Sequence, residues 1–317
     1  MSVPDLLTLG ESMVSLRSTG PLAAGGSLTM HLAGAESNVA VGVARLGHRA
    51  AWVGRVGADE FGEYVLRQLR AEGVGVDGVI RDPDRPTGLM ILERRTADLT
   101  RAEYRRTGSA GSALRVDDLR APLAAGARLV HLTGITPALS DTARAATGWA
   151  AETAAKCGIP VCLDVNYRAR LWSRDAARAA LTPLADHVSI VVASADELDL
   201  LGEPGADEST VVADLFRRGV HTVLVKLGAD GARAHTRDGV RHAGALTVTA
   251  VDTVGAGDAF TAGYLSGWFD GLDLAGRLRR AATLGAFAVS SPGDWEGLPR
   301  RAELSLLDGH ETGSVIR

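Results

Sequence analysis

From residue 128 onward the sequence repeats one grammar: short apolar runs at 129–133, 161–165, 190–193 and 222–227, separated by longer stretches with helical spacing. Strands that apolar are buried on both faces. Joining them through helices makes neighbouring strands parallel, because a parallel crossover needs a dozen or more residues. The pattern predicts an α/β fold with a mainly parallel central sheet, helices on both faces, and ligands gathered at the carboxyl ends of the strands. Gly134, Asn166, Arg168, Ser194, Lys226 and Gly228 all fall at such ends, a convergence that packing does not require.

The earlier part of the chain carries a second kind of strand. Residues 6–10 read as a buried strand of the same sheet and 51–56 as another, but 12–17, 27–32, 87–93 and 101–106 alternate apolar with polar residues. Such strands suit a separate small sheet with one face over a ligand and one outside. With 317 residues, 46% of them hydrophobic, the chain can bury a large core. The expectation is a single domain over 1–317 with a small β sheet inserted from about 11–33 and 86–107. Helices are expected at 35–46, 57–69, 259–268 and 273–289, a further strand at 245–251, and a polar, frayed end through residue 317.

Chemistry concentrates where the expected strand 245–251 gives way to a helix, at Asp252-Thr253-Val254-Gly255-Ala256-Gly257-Asp258-Ala259-Phe260. Glycines at a helix N-terminus leave backbone N–H groups exposed, backed by the positive end of the helix dipole, so an anion can approach the main chain closely. A carboxylate in that turn reads either as a helix cap or as a base that takes a proton from a substrate hydroxyl while the amides stabilise a phosphoryl group in transfer. No Gly-x-x-x-x-Gly-Lys-Ser/Thr string occurs, and Gly255-x-Gly257 lacks the third glycine and the N-terminal placement of a dinucleotide fingerprint.

The stretch 252–265 closely resembles the C-terminal signature of the ribokinase-like, or PfkB, sugar kinases. Gly34-Ala35-Glu36-Ser37-Asn38, which by spacing alone would be a helix cap, is similar to their N-terminal signature. The likeness extends over nearly the whole chain. It implies a three-layer α/β/α architecture with a β lid, Asp258 as catalytic base, and the amides of Gly255, Ala256 and Gly257 as an anion hole. It also implies sugar contacts from Gly34 and Asn38, with ATP and Mg2+ as cofactors. Ser194-Ala195-Asp196-Glu197 resembles the family's Asn-x-x-Glu motif with Ser in place of Asn, which implies that Glu197 meets magnesium through water. Lys226-Leu227-Gly228-Ala229-Asp230-Gly231 is similar to the family's nucleotide turn, so Ser194, Lys226, Gly228 and Gly231 are expected on the ATP side. Some members also need a monovalent cation such as K+, here near Asp252.

Within the family, Tyr104-Arg105-Arg106, Gly134-Ile135-Thr136-Pro137, Asp164-Val165-Asn166-Tyr167-Arg168 and Gly293-Asp294-Trp295-Glu296-Gly297 look like the 2-keto-3-deoxygluconate kinases. That likeness implies that Tyr104, Arg106, Ile135 and Arg168 contact a sugar acid. A guanidinium fork matches a carboxylate, which a neutral sugar does not require; Arg168 reads equally as facing the transferred phosphate. Met90 stands where relatives in that branch carry Tyr, and Ala282 where many family members carry Asn. The expected activity is ATP-dependent phosphorylation of the terminal hydroxyl of 2-keto-3-deoxygluconate. A fructokinase or other neutral-sugar kinase is the alternative, and an inactive sugar-binding regulator is the alternative of another class.

Composition narrows the partners. A net charge of −4 with no basic cluster interleaved with aromatics argues against nucleic acid and anionic membrane, leaving small molecules. The two cysteines, Cys157 and Cys162, have neither disulfide-framework nor metal-ligand spacing. No basic leader and no apolar run of roughly 18 residues is present, so a cytoplasmic location is expected. The exposed edge of the small sheet favours a homo-oligomer formed through it.

Overall fold

The computed structural model describes residues 3–96 and 99–307; the end of the chain through 317, expected to fray, and residues 97–98 of the small-sheet segment lie outside them. Eight strands form the large sheet, in the order Gly239–Ala243, Ala232–Thr236, Thr222–Lys226, Ile190–Ser194, Val161–Asp164, Leu129–Thr133, Leu6–Leu9, Ala50–Val53. All pairings from Thr222–Lys226 to Ala50–Val53 are parallel, and the last two strands to join close the other edge as an antiparallel hairpin.

Alternation along these strands feeds two cores. Leu6, Leu129, Cys162, Val192 and Leu224 face one way, against the helices Ala35–Arg45, Glu60–Ala71, Ala256–Phe269 and Leu274–Val289. Leu7, Val130, Leu163, Val191 and Val223 face the other, against Val116–Ala124, Asp141–Lys156, Arg174–Leu181 and Glu208–Arg217. The result is the expected three-layer α/β/α stack. Strand order reverses at Leu6–Leu9, which has Ala50–Val53 on one side and Leu129–Thr133 on the other. Connections there leave in opposite directions, and the crevice between them opens at the carboxyl ends of the strands.

The four alternating segments form a separate sheet in the order Leu28–Ala33, Met13–Ser18, Leu89–Arg94, Thr100–Arg105. Met13, Ala33 and Met90 cluster on its buried face. Two expectations change. The strand expected at 51–56 breaks at Gly54, where a Cβ would lie 2.4 Å from Gly10 O; the chain then leaves the large sheet, and Arg55–Gly57 pairs with Ile80–Asp82 instead. Residues 245–251 form no strand: they run outside the sheet, with Leu246 and Val251 exposed, from the edge strand Gly239–Ala243 back toward the sheet centre. Val251 and Asp252 N–H groups both donate to Val289 O, so a helix end, not a neighbouring strand, anchors the end of this segment.

Candidate active site

The helix Ala256–Phe269 begins at Gly255, whose φ of 75° is left-handed and whose absent Cβ would stand 1.9 Å from Asp294 O. Glycine alone meets both conditions. The first turn thereby presents N–H groups that lack intrahelical partners, with the positive end of the helix dipole behind them. Asp258 stands in that turn and is buried.

Two carboxamides hold its carboxylate. Asn38 Nδ2, from the first helical turns of Ala35–Arg45, donates to Asp258 Oδ2 at 2.8 Å. Asn166 Nδ2 donates to Oδ1 at 3.4 Å from a residue whose φ of 40° is left-handed, a conformation asparagine tolerates better than most side chains. Both Oδ1 atoms, of Asn38 and of Asn166, are buried without a partner. Buried acceptors of that kind await donors, and sugar hydroxyls are donors of the right size. Burial pushes the Asp258 carboxyl up to about 7. The Asn38 hydrogen bond works against this, the charge on Asp164 adds to it, and Lys226 and Arg168 oppose it.

Behind the turn lies a buried ion pair. Lys226 Nζ donates to Asp164 Oδ1 and Oδ2 at 3.0 and 2.9 Å, and Thr261 Oγ1 donates to Oδ2 at 3.1 Å. The ammonium stands 3.3 Å from where a Cβ on Gly257 would be. Burial disfavours its charge, yet Asp164, Glu197 and Asp258 around it raise its pKa. Glu197 accepts from Tyr167 N on Oε1 at 2.8 Å and from Ser194 N on Oε2 at 2.9 Å, tying together two strand-end connections. Among the described residues no group of three or more His, Cys, Asp or Glu is arranged to hold a metal ion unaided. That donor set fits magnesium, which keeps several waters and binds one or two carboxylates together with substrate phosphates.

A cleft of about 780 Å³ separates the strand ends from the small sheet. Gly34, Asn38, Ile135, Gly255 and Asp258 line it from the large-sheet side, Tyr104 and Arg106 from the small sheet, and Arg168 from the connection after Val161–Asp164. Arg106 stacks over Tyr104, with its guanidinium carbon 5.6 Å from the ring centroid. Ser194, Glu197, Lys226, Gly228 and Gly231 stay outside this cleft, as do Ala256 and Gly257. Ser194 and Lys226 are register partners on adjacent parallel strands, and Gly228 and Gly231 take left-handed φ of 60° and 90° in the exposed turn that follows.

Sequence reasoning passes over several residues of the site. Glu11, Glu36, Arg170 and Asp294 also line the cleft, and Asp164 anchors Lys226. Glu36 is buried with Oε1 accepting from the hydroxyls of Thr133 and Thr136, both at 2.6 Å, and burial raises its pKa. Asp294 is held by Arg17 of the small sheet at 2.6 Å, and burial pushes its carboxyl up to about 6. Glu11 carries a usable signal, because it follows the first strand at its carboxyl end. The others have partners more than 60 residues away in sequence, beyond the reach of any spacing rule.

Residues 4–301 match the model of the pfkB family carbohydrate kinases. The chain belongs to that family. Its similarity runs to a 2-dehydro-3-deoxygluconokinase of Bacillus subtilis (strain 168), 36% identical with 97% of each chain covered. A 2-dehydro-3-deoxygluconokinase of Thermoproteus tenax is 35% identical, covering 96% of this chain and 94% of that protein. Among solved structures, a PfkB protein from Polaromonas sp. JS666 superposes with a TM-score of 0.86 at 34% identity, covering 96% of this chain and 99% of that one. The three-layer α/β/α fold with a separate small sheet, which the resemblance to this family implied, is thus the fold of this chain.

Proposed function

We propose that the protein transfers the γ-phosphoryl group of ATP to the terminal hydroxyl of 2-keto-3-deoxygluconate. The observation that carries this reading is the buried Asp258 carboxylate beside a glycine helix start, with two unpaired carboxamide oxygens around it and the Arg106–Tyr104 stack in the same cleft. Asp258 takes the proton of the acceptor hydroxyl. Asn38 and Asn166 hold that carboxylate, and Asn38, which lines the cleft, offers its free oxygen to a neighbouring sugar hydroxyl. The N–H groups of Gly255, Ala256 and Gly257 stabilise charge on the phosphoryl group. Arg106, Tyr104 and Ile135 address the sugar acid with Gly34, and Arg168 serves its carboxylate or the phosphate.

Lys226, Ser194, Gly228 and Gly231 take the nucleotide side. Glu197 would hold magnesium through water, and the ion would supply neutralisation of phosphate charge there. A monovalent cation such as K+ near Asp252 belongs to the same reading, tested by the dependence of kcat on KCl at constant ionic strength. So does one kinase domain whose small sheet closes as a lid and pairs with a second copy, where Leu28 and Met30 are exposed; sedimentation equilibrium tests the pairing. No helix among the described residues is long and apolar enough to cross a membrane, and both cysteines are free, which suits work in the cytoplasm.

ADP release measured over 2-keto-3-deoxygluconate, fructose and other sugars with MgATP tests the proposal. The acid is expected to give the highest kcat/KM, and Arg106→Ala to weaken acid binding more than neutral-sugar binding. Tight sugar binding without turnover means a regulator. A tenfold preference for fructose, which Met90 in the buried sheet face would favour by removing a hydroxyl contact, means a neutral-sugar kinase.

A further inference from the structure

The guanidinium that would meet the sugar acid is itself gripped by a buried carboxylate. Glu11, two residues past the strand Leu6–Leu9, is 2% exposed. Arg106 Nε donates to Glu11 Oε2 at 2.7 Å, and Arg106 Nη2 lies 2.5 Å from the same oxygen. Ser109 Oγ donates to Oε1 at 2.5 Å. Two glycines make room for this carboxylate: a Cβ at Gly111 would stand 2.4 Å from Glu11 Cγ, and one at Gly88 would stand 2.6 Å from Oε1. The first strand of the large sheet, the entry to Leu89–Arg94 and the exit from Thr100–Arg105 therefore converge on one side chain.

A buried ion pair is a weak source of stability, because desolvation offsets most of the attraction. Orientation is what this pair supplies. A guanidinium offers five N–H donors in a rigid planar fork. Glu11 occupies the Nε–Nη2 edge and Tyr104 covers one face, so the Nη1–Nη2 edge remains for a ligand in the cleft. Glu11 also cancels the charge of Arg106. An incoming carboxylate then gains from two aligned hydrogen bonds more than from bare attraction, so its affinity depends on how well the fork is aimed.

We propose that Glu11 is a positioning residue that sets the preference for sugar acids by aiming the free edge of Arg106 at the substrate carboxylate. The proposal rests on the sugar-acid reading above. Its test compares wild type, Glu11→Gln, Arg106→Lys and the double variant. Dissociation constants for 2-keto-3-deoxygluconate and fructose are measured by calorimetry without nucleotide, and kcat and KM with MgATP.

Glu11→Gln is expected to raise Kd and KM for the acid by about 10- to 100-fold, with kcat and both fructose constants changed by less than about threefold. On the Arg106→Lys background the same substitution is expected to add little, since no fork remains to be aimed. Acid binding that is unchanged or tighter in Glu11→Gln overturns the role, as does equal weakening of both sugars. Should Glu11→Gln fold poorly, Ser109→Ala removes one of the bonds that hold Glu11 and is expected to weaken acid binding alone, by a smaller factor; no effect, or an equal effect on fructose, overturns the proposal. A wild type that binds fructose as well as the acid overturns the sugar-acid reading and this role with it. Acid preference that survives Glu11→Gln overturns this role only.

Discussion

Replacing Asp258 by Asn should abolish catalysis and, in the absence of ligands, stabilise the fold in a pH-dependent way. Burial raises the Asp258 carboxyl from 3.8 to about 7. Those three or so units correspond to at most about 4 kcal/mol of cost for holding the ionised form in the folded protein, at about 1.4 kcal/mol per unit. The sign follows from proton counts. Between the two pKa values the folded state holds a proton that the unfolded state has released, so the contribution of this group to stability declines as pH rises through that window and is fully lost above about 7. Asparagine has no such decline. An amide can accept from only one of Asn38 and Asn166 through its oxygen, so one neighbour must turn its own unpaired Oδ1 toward the new NH2 group. That rearrangement does not titrate and affects every pH equally.

The margin of Asp258→Asn over wild type should therefore widen by about 2–3 kcal/mol between about pH 5 and about pH 8.5. For a chain of 317 residues that is about 3–5 °C in Tm, from a typical unfolding entropy of about 2.1 cal/mol/K per residue. Urea unfolding of both proteins at the two pH values measures the widening, and a coupled ADP assay should show kcat reduced by roughly 100-fold or more. A margin that stays constant with pH, or turnover within tenfold of wild type, refutes the picture of a buried, destabilised base.

Further expectations concern the same turn. If Asp258 must be ionised to act, kcat/KM rises with pH through about 7 and levels above it; a flat profile across that range counts against the base. Lys226→Met leaves the Asp164 carboxylate buried without its partner, with an expected loss of about 3–5 kcal/mol in urea unfolding. Adding Asp164→Asn should recover most of that loss, and failure to recover it means that the pair does not act as a unit. Gly255→Ala forces a Cβ into Asp294 O and a left-handed φ on alanine. Destabilisation of about 2–4 kcal/mol and at least a tenfold loss of kcat are expected; an alanine variant with native Tm and kcat is incompatible with the tight turn. Gly257→Ala, which meets only the flexible end of Lys226, should fold normally by circular dichroism.

Local rules carried much of this protein. The runs at 129–133 and 190–193 are strands because they are short and mainly apolar, with His131 and Thr133 the polar exceptions in the first, and burial on both faces suits parallel, helix-covered strands. The glycine start of the helix Ala256–Phe269 was legible because Gly255 precedes a helical run, whereas the choice between cap and base for Asp258 came from the family resemblance and not from a local rule. The same rules failed at 245–251, whose alternation is a strand's but which leaves the edge strand Gly239–Ala243 without pairing to it, its end held instead by Val289 O. They placed Asn166 at a strand end but gave no sign that a left-handed backbone there would turn its amide onto Asp258.

By itself, then, the sequence determined most of the strands and helices and which strand ends carry polar side chains, since each depends on residues within a few positions of one another. Tertiary structure alone decided that Asn38 and Asn166 would grip Asp258 from opposite sides, that Lys226 would turn inward to Asp164, and that Glu11 would clamp Arg106 across 95 positions of chain. The physical reason is that burial and hydrogen-bond geometry depend on which chain segments the fold brings together. Periodicity and spacing report only what each segment prefers locally, and say nothing about which distant carboxylate a guanidinium or an ammonium will meet.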